Sequence, residues 1–134
     1  PLFVNEPLSS AVGDWYARET ETLVATAWCV TEFASALGIK QRTGALDAHL
    51  AQGAWNRFER LVAADLQLLP VLPAHFQRAA ALVLDPTHGL RAGDALHLAC
   101  AEAAGAQHLA TLDDVLARNA RRLQIKLVVI AGRT

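Results

Sequence analysis

The chain has 134 residues, a length that suits one compact domain with a single core. A formal net charge of −1 argues against a protein that coats nucleic acid nonspecifically, although a local nucleic-acid site stays compatible with it. We find no signal peptide and no apolar run of transmembrane length, so we expect a cytoplasmic protein whose Cys29 and Cys100 are buried free thiols.

The first half of the chain predicts one strand and two helices. Residues 22–26 (TLVAT) are typical of a strand. Residues 28–44 predict a helix, with Thr26 as a candidate N-cap and Gly44 as its stop. Residues 45–65 predict a second helix, because large apolar side chains recur there at helical spacing.

The second half continues the alternation of strands and helices. Strands are predicted at 66–71, 108–112 and 126–130, and helices at 73–84 and 114–123. The apolar run 95–104 predicts a further, buried helix with Asp94 in its first turn. Strands separated by helices imply βαβ units and a mostly parallel sheet, so the fold class is α/β. Ligands of such sheets bind beyond the carboxyl ends of the strands.

Acidic residues fall at that edge of the predicted sheet. Glu32 lies in the first two turns of the first predicted helix, Asp94 opens the apolar helix, and Asp113 directly follows a strand. Carboxylates that converge repel one another and raise one another's pKa, which a divalent cation would reverse. Oxygen ligands without a His or Cys set favour Mg²⁺ or Mn²⁺ over zinc. Asp114 is a weaker candidate, expected to be more exposed.

Each of these residues also has a purely structural interpretation. Glu32 can be a solvated helix residue, Asp94 a carboxylate favoured by the helix dipole, and Asp113 the N-cap of the next helix. His97, on the same helical side as Asp94, can be a metal ligand or proton shuttle, but a packed, hydrogen-bonded histidine is the simpler interpretation. Thr111 can bind a carboxylate or phosphate, or be an ordinary strand residue.

Other chemistries lack their motifs. The sequence has no GxxxxGK[ST] or GxGxxG loop for nucleotides and no GxSxG turn. A receiver-like signalling domain, also a small α/β sheet with acids at one edge, needs an acidic residue after the middle strand and a lysine after a late strand. In this sequence the middle strand ends in PVLP, without an acidic residue, and no lysine follows KLVVI. Both features argue against a receiver-like domain.

Three segments resemble motifs of a known family. VTEFASAL, LRAGDALHLACA and ATLDDVLARNARRL resemble those of PIN-domain ribonucleases, most closely the VapC-like toxins of bacterial toxin–antitoxin modules. Order and spacing agree from about Leu23 to Ile130. The resemblance implies a PIN-like three-layer domain that holds Mg²⁺ or Mn²⁺ and cuts RNA, often a tRNA or rRNA. It also implies a homodimer inhibited by an antitoxin whose C-terminal tail occupies the cleft.

Carried over residue by residue, the resemblance assigns three acids. Glu32 matches the second acid of the family, Asp94 the third and Asp113 the fourth. The first acid lies on an N-terminal strand, to which no residue of this chain can be assigned. Residues 2–9 (LFVNEPLS) resemble instead the segment that follows the first helix of such toxins. We therefore expect residues 1–134 to form a single PIN-like domain without that strand.

These observations predict a Mg²⁺-dependent endoribonuclease toxin, in which Glu32, Asp94 and Asp113 hold the metal and a metal-bound water attacks RNA. The alternative is a PIN-like interaction module without catalysis, and the encoded sequence before Pro1 would decide between the two. The high apolar content, 53% of residues, adds an expected contact between residues 1–65 and a second chain or an antitoxin.

Overall fold

The computed structural model describes residues 2–4, 23–111 and 113–127. The strands are Leu2–Val4 (β1), Leu23–Thr26 (β2), Leu66–Leu69 (β3), His108–Ala110 (β4) and Lys126–Leu127 (β5). The helices are Trp28–Arg42 (α1), Ala48–Ala64 (α2), Pro73–Leu84 (α3), Ala92–Ala103 (α4) and Asp114–Arg122 (α5), with a 3₁₀ turn at Pro86–His88. No helix in these ranges has the length and apolarity needed to cross a membrane.

The described strands form one parallel sheet in the order β3-β2-β1-β4-β5. The α/β class and the parallel sheet predicted from the sequence are therefore confirmed. Because all of these strands point the same way, their carboxyl ends lie along one side, which we call the carboxyl edge. Helices α1 and α5 begin shortly after β2 and β4 at that edge, and the first turn of α4 approaches the start of α1.

The central strand differs from the sequence-based expectation. We expected residues 2–9 to follow a helix and the central strand to be missing, but the structure places Leu2–Val4 between β2 and β4. The facing backbone groups of β2 and β4 need hydrogen-bond partners, and a short apolar segment supplies them. Residues 5–9 lie outside the described residues. Since β1 contains no acidic residue, none of its residues supplies the first acid of the motif.

Two buried clusters cover the two faces of the sheet. Val24 packs with the buried faces of α3, α4 and α5. Its neighbours Leu23 and Ala25 pack on the other face, with α1 and α2. Phe58 of α2 anchors this second cluster, with its ring centroid 4.8 Å from that of Phe33. Alternate strand residues thus face opposite clusters, which gives the three-layer arrangement of helix, sheet and helix.

The ends of the helices follow ordinary rules. Gly44 and Gly105 adopt φ of 78° and 66° just after α1 and α4, a left-handed conformation that glycine takes at low cost. Gly44 is the residue predicted as the stop of the first helix. Helix α2 begins a few residues later than predicted, because the Asp47 side chain accepts a hydrogen bond from the Leu50 N–H at 2.8 Å and caps it.

The burial of both cysteines predicts their reactivity. Cys29 and Cys100 are free and each 2% exposed. Burial raises the pKa of each thiol to about 11, and at Cys29 the charge of Glu32 adds to this effect. Because the thiolate is the reactive form, we expect no stoichiometric reaction with Ellman's reagent at pH 8 in the folded protein. The same protein in denaturant should release two equivalents of chromophore, and rapid labelling of the folded protein would contradict the packing described.

Candidate active site

Glu32 stands at the carboxyl edge because α1 starts directly beyond β2. The strand ends at Thr26 and the helix begins at Trp28, so Glu32 falls in the second helical turn. Its side chain is 38% exposed, which leaves it accessible to solvent. The local sequence thus places a carboxylate at the end of an inner strand of the sheet.

His97 of α4 holds the Glu32 side chain. The imidazole is 2% exposed, and its Nε2 is hydrogen-bonded to Glu32 Oε1. Its Nδ1 lies 3.2 Å from the hydroxyl oxygen of the fully buried Thr26. The packed, hydrogen-bonded interpretation of His97 is therefore confirmed. The prediction that Thr26 is the N-cap of α1 was wrong. Ala27 occupies the N-cap position without a side-chain hydrogen bond, and the Thr26 hydroxyl contacts His97 instead.

Gly93 leaves room for the Glu32 carboxylate. A Cβ at Gly93 would lie 2.8 Å from Glu32 Oε2 and 3.3 Å from Trp28 Nε1. The first turn of α4 therefore approaches α1 so closely that a larger side chain would displace these atoms. Gly93 was not predicted as a site residue. The signal that could have identified it is a glycine directly before a candidate acid, Asp94.

Asp94 follows Gly93 in the first turn of α4 and is half-buried. Burial raises the pKa of its carboxyl group above the ordinary value, and the negative charges of Asp113 and Glu32 raise it further. His97 and Arg91 act in the opposite direction, but the net shift is upward. Asp94 thus lies close enough to both Glu32 and Asp113 for their charges to act on it, as expected for carboxylates gathered at one edge.

Asp113 caps α5. Its Oδ1 accepts a hydrogen bond from the Leu116 N–H at 2.8 Å, and its own N–H donates to the hydroxyl of the buried Thr111 at 3.1 Å. The N-cap interpretation of Asp113 is confirmed, and Thr111 supports the turn that carries it. Asp114 is the first residue of α5. Capping fixes one oxygen of Asp113 and leaves its charge at the carboxyl edge.

The donor set fits a hydrated cation. Within residues 2–4, 23–111 and 113–127, no three His, Cys, Asp or Glu side chains are close enough to hold one metal ion directly. The acids are oxygen donors whose charges disfavour one another, and Mg²⁺ prefers oxygen ligands and usually keeps several waters. Carboxylates spaced in this way suit a cation held partly through water. The metal role of Glu32, Asp94 and Asp113 stays a prediction.

An apolar groove of about 320 Å³ adjoins the acids. It lies between α3, the start of α4 and the first residue of α1, and is lined by Trp28, Phe76, Ala79, Ala80, Val83, Ala92, Gly93 and Leu96. Phe76 is 54% exposed and Trp28 37% exposed. We expected the contact surface within residues 1–65, whereas α3 supplies much of this groove.

Comparisons with known proteins agree on the fold. A family model of the PIN domain matches residues 2–122. No curated protein matches the chain significantly. One similar solved structure is described as FitAB bound to an IR36 DNA fragment, with a TM-score of 0.64, 17% identity and coverage of 96% of this chain and 94% of that one. Another is VapBC2 from Rickettsia felis bound to a DNA fragment from their promoter, with a TM-score of 0.64, 13% identity and coverage of 96% and 98%.

Two glycine substitutions test the close approach of α4 to Glu32. Gly53 lies inside α2, where a Cβ would meet no atom of the described residues within 4 Å, so Gly53→Ala should stabilise the protein by about 0.5–1 kcal/mol. Gly93→Ala should give no such gain or a loss, because its methyl group pushes Glu32 away from His97. Urea unfolding of both variants measures the difference. Equal stabilisation by the two would show that Glu32 is not confined at this position.

Proposed function

The chain belongs to the PIN domain family, and from this membership we propose that it is a Mg²⁺-dependent endoribonuclease, the toxin of a toxin–antitoxin pair. The observation that carries the proposal is the placement of Glu32, Asp94 and Asp113 at the carboxyl edge, with Asp94 close enough to the other two for their charges to raise its pKa. Parallel α/β sheets bind their ligands at that edge. The family assigns the same three positions to its acids, and PIN domains are typically nucleases.

The three acidic residues would together bind a divalent cation. Glu32, Asp94 and Asp113 would bind Mg²⁺ or Mn²⁺ through carboxylate oxygens or intervening waters. When bound, the metal would supply an activated water and neutralise charge on the phosphodiester. Arg91, at the N-cap position of α4, lies near enough to Asp94 to act on its pKa, so it offers a cation to an RNA phosphate at the same edge.

The proposed partners follow from the family and its structural neighbours. The resemblance to VapC-like toxins implies a homodimer and an antitoxin whose tail enters the cleft. The similar VapBC2 structure supports an antitoxin partner for this chain. The apolar groove beside Gly93 gives such a tail a surface next to the acids.

A second candidate is an interaction module without catalysis. It is favoured by the composition of β1, which contributes no acid to the carboxyl edge. The two candidates differ in metal-dependent RNA cleavage by the purified protein. Cleavage that stops on addition of EDTA supports the enzyme, and complete inactivity with Mg²⁺ or Mn²⁺ supports the module.

Asp94→Asn tests the metal site directly. We expect Mn²⁺ binding and RNA cleavage to be lost together, while stability without metal is kept or rises at pH 7. The sign follows from the raised pKa of Asp94, because ionisation in the folded protein costs stability as pH rises through that pKa. Asparagine removes this cost. Below about pH 3, where an aspartate is largely protonated in both states, the two proteins should converge in stability.

Asp47→Asn is the matched control for this substitution. It removes the same charge from an exposed cap on α2, and asparagine caps helices as well as aspartate does. Cleavage, Mn²⁺ affinity and stability should stay close to those of the wild type. A fall in the metal-free stability of Asp94→Asn by about 1 kcal/mol with cleavage intact would mean that Asp94 is structural.

The oligomeric state tests the proposed dimer. Large apolar side chains are exposed at Trp28, Ile39 and Leu50 within residues 1–65, and at Leu72, Phe76, Val83 and Leu84 beyond them. Such surfaces commonly mark contacts with partners. We expect light scattering to give twice the mass of one chain. A monomer at every concentration measured would contradict the homodimer.

A further inference from the structure

The burial of His97 requires partners for both of its ring nitrogens. Its neighbours on α4, from Ala95 to Ala101, are all buried, and the imidazole lies among them with 2% exposure. A buried polar group without hydrogen bonds is costly. His97 meets this requirement with Thr26 on the sheet and Glu32 on α1. One imidazole therefore connects three separate segments of the chain.

We propose that His97 is a positioning residue that sets the Glu32 carboxylate for metal binding, an inference that rests on the proposed nuclease function. Oε1 of Glu32 is taken up by His97 Nε2. Oε2 lies over the first turn of α4, within 2.8 Å of where a Gly93 Cβ would be. That turn also carries Asp94. The carboxylate thus presents Oε2, and not Oε1, to the helical turn that carries the second acid.

The state of the carboxylate determines which ring nitrogen donates. A carboxylate that binds a metal ion is ionised and only accepts hydrogen bonds, so in that state the hydrogen between Glu32 and His97 belongs to Nε2. The Thr26 hydroxyl, at 3.2 Å from Nδ1, is the partner on the other side of the ring. Thr26 is fully buried at the end of β2, so its hydroxyl holds the imidazole in a fixed position relative to the sheet.

His97 and Asp94 share one helix, three residues apart and on the same side. By binding Glu32, His97 sets the position of the α1 acid relative to the α4 acid. A glutamate has three side-chain torsions that metal binding would otherwise have to order, at a cost in conformational entropy. Groups that orient metal ligands typically change metal affinity about 10- to 100-fold when they are removed.

Mn²⁺ titration of the purified chain by calorimetry tests this role independently of RNA cleavage. His97→Leu should weaken Mn²⁺ binding about tenfold or more. His97→Gln should restore most of the affinity, because the glutamine amide nitrogen can take the place of Nε2 as donor to Glu32. Thr26→Val, which replaces the hydroxyl by a methyl group of similar size, should give an intermediate loss.

Cys100→Ala is the control for general loosening of α4. Cys100 is as buried as His97 and lies one turn further along the same helix, but its side chain does not hold Glu32. The substitution Cys100→Ala should lower the melting temperature without changing Mn²⁺ affinity. Equal weakening by Cys100→Ala and His97→Leu would reduce His97 to a packing residue and overturn the inference.

The outcomes separate the inference from the proposed function. Mn²⁺ binding by the wild type with unchanged or tighter binding by His97→Leu overturns the positioning role and leaves the nuclease proposal standing. Absence of Mn²⁺ binding by the wild type overturns both. If His97→Leu does not fold, the test depends on the other two variants: Thr26→Val must weaken Mn²⁺ binding, and His97→Gln must retain most of it. Wild-type Mn²⁺ affinity in Thr26→Val would then overturn the inference.

Discussion

The two helical layers of this domain meet over the end of β2 through a buried hydrogen-bonded link. His97 of α4 contacts Thr26 of the sheet and Glu32 of α1. Helices α1 and α4 pack mainly in different clusters, on opposite faces of the sheet. The link acts together with the close approach of Gly93 to Trp28 and Glu32, which brings the starts of the two helices together. As a result, carboxylates from both layers are held in a defined relation at one edge.

The protein restrains each of the three acidic side chains while its carboxylate stays at the carboxyl edge. Glu32 has Oε1 bound by His97, and Asp113 has Oδ1 bound by the Leu116 N–H. Asp94 is restrained instead by partial burial in the first turn of α4. A structural role therefore coexists in these side chains with the metal-binding role that we propose. The N-cap at Asp113 orients the carboxylate that the family uses.

Much of this arrangement could be predicted from local sequence. The apolar run around Ala95–Ala101 indicated a buried helix, and the acid after β4 indicated a helix start at the carboxyl edge. Contacts between distant residues could not be predicted. Thr26 follows the local pattern of a cap, yet a partner 71 residues away takes its hydroxyl. The central strand was missed because three residues carry too little periodicity, and their position depends on strands far along the chain.

The apolar groove and the acids have a wall in common, formed by Trp28 and Gly93. Both residues line the groove, and a Cβ at Gly93 would lie 3.3 Å from Trp28 Nε1 and 2.8 Å from Glu32 Oε2. A molecule that fills the groove and shifts this wall therefore changes the energy of placing the carboxylate. Thermodynamic linkage makes such an effect reciprocal: a cation held at the edge would alter the affinity of the groove for its occupant by the same factor.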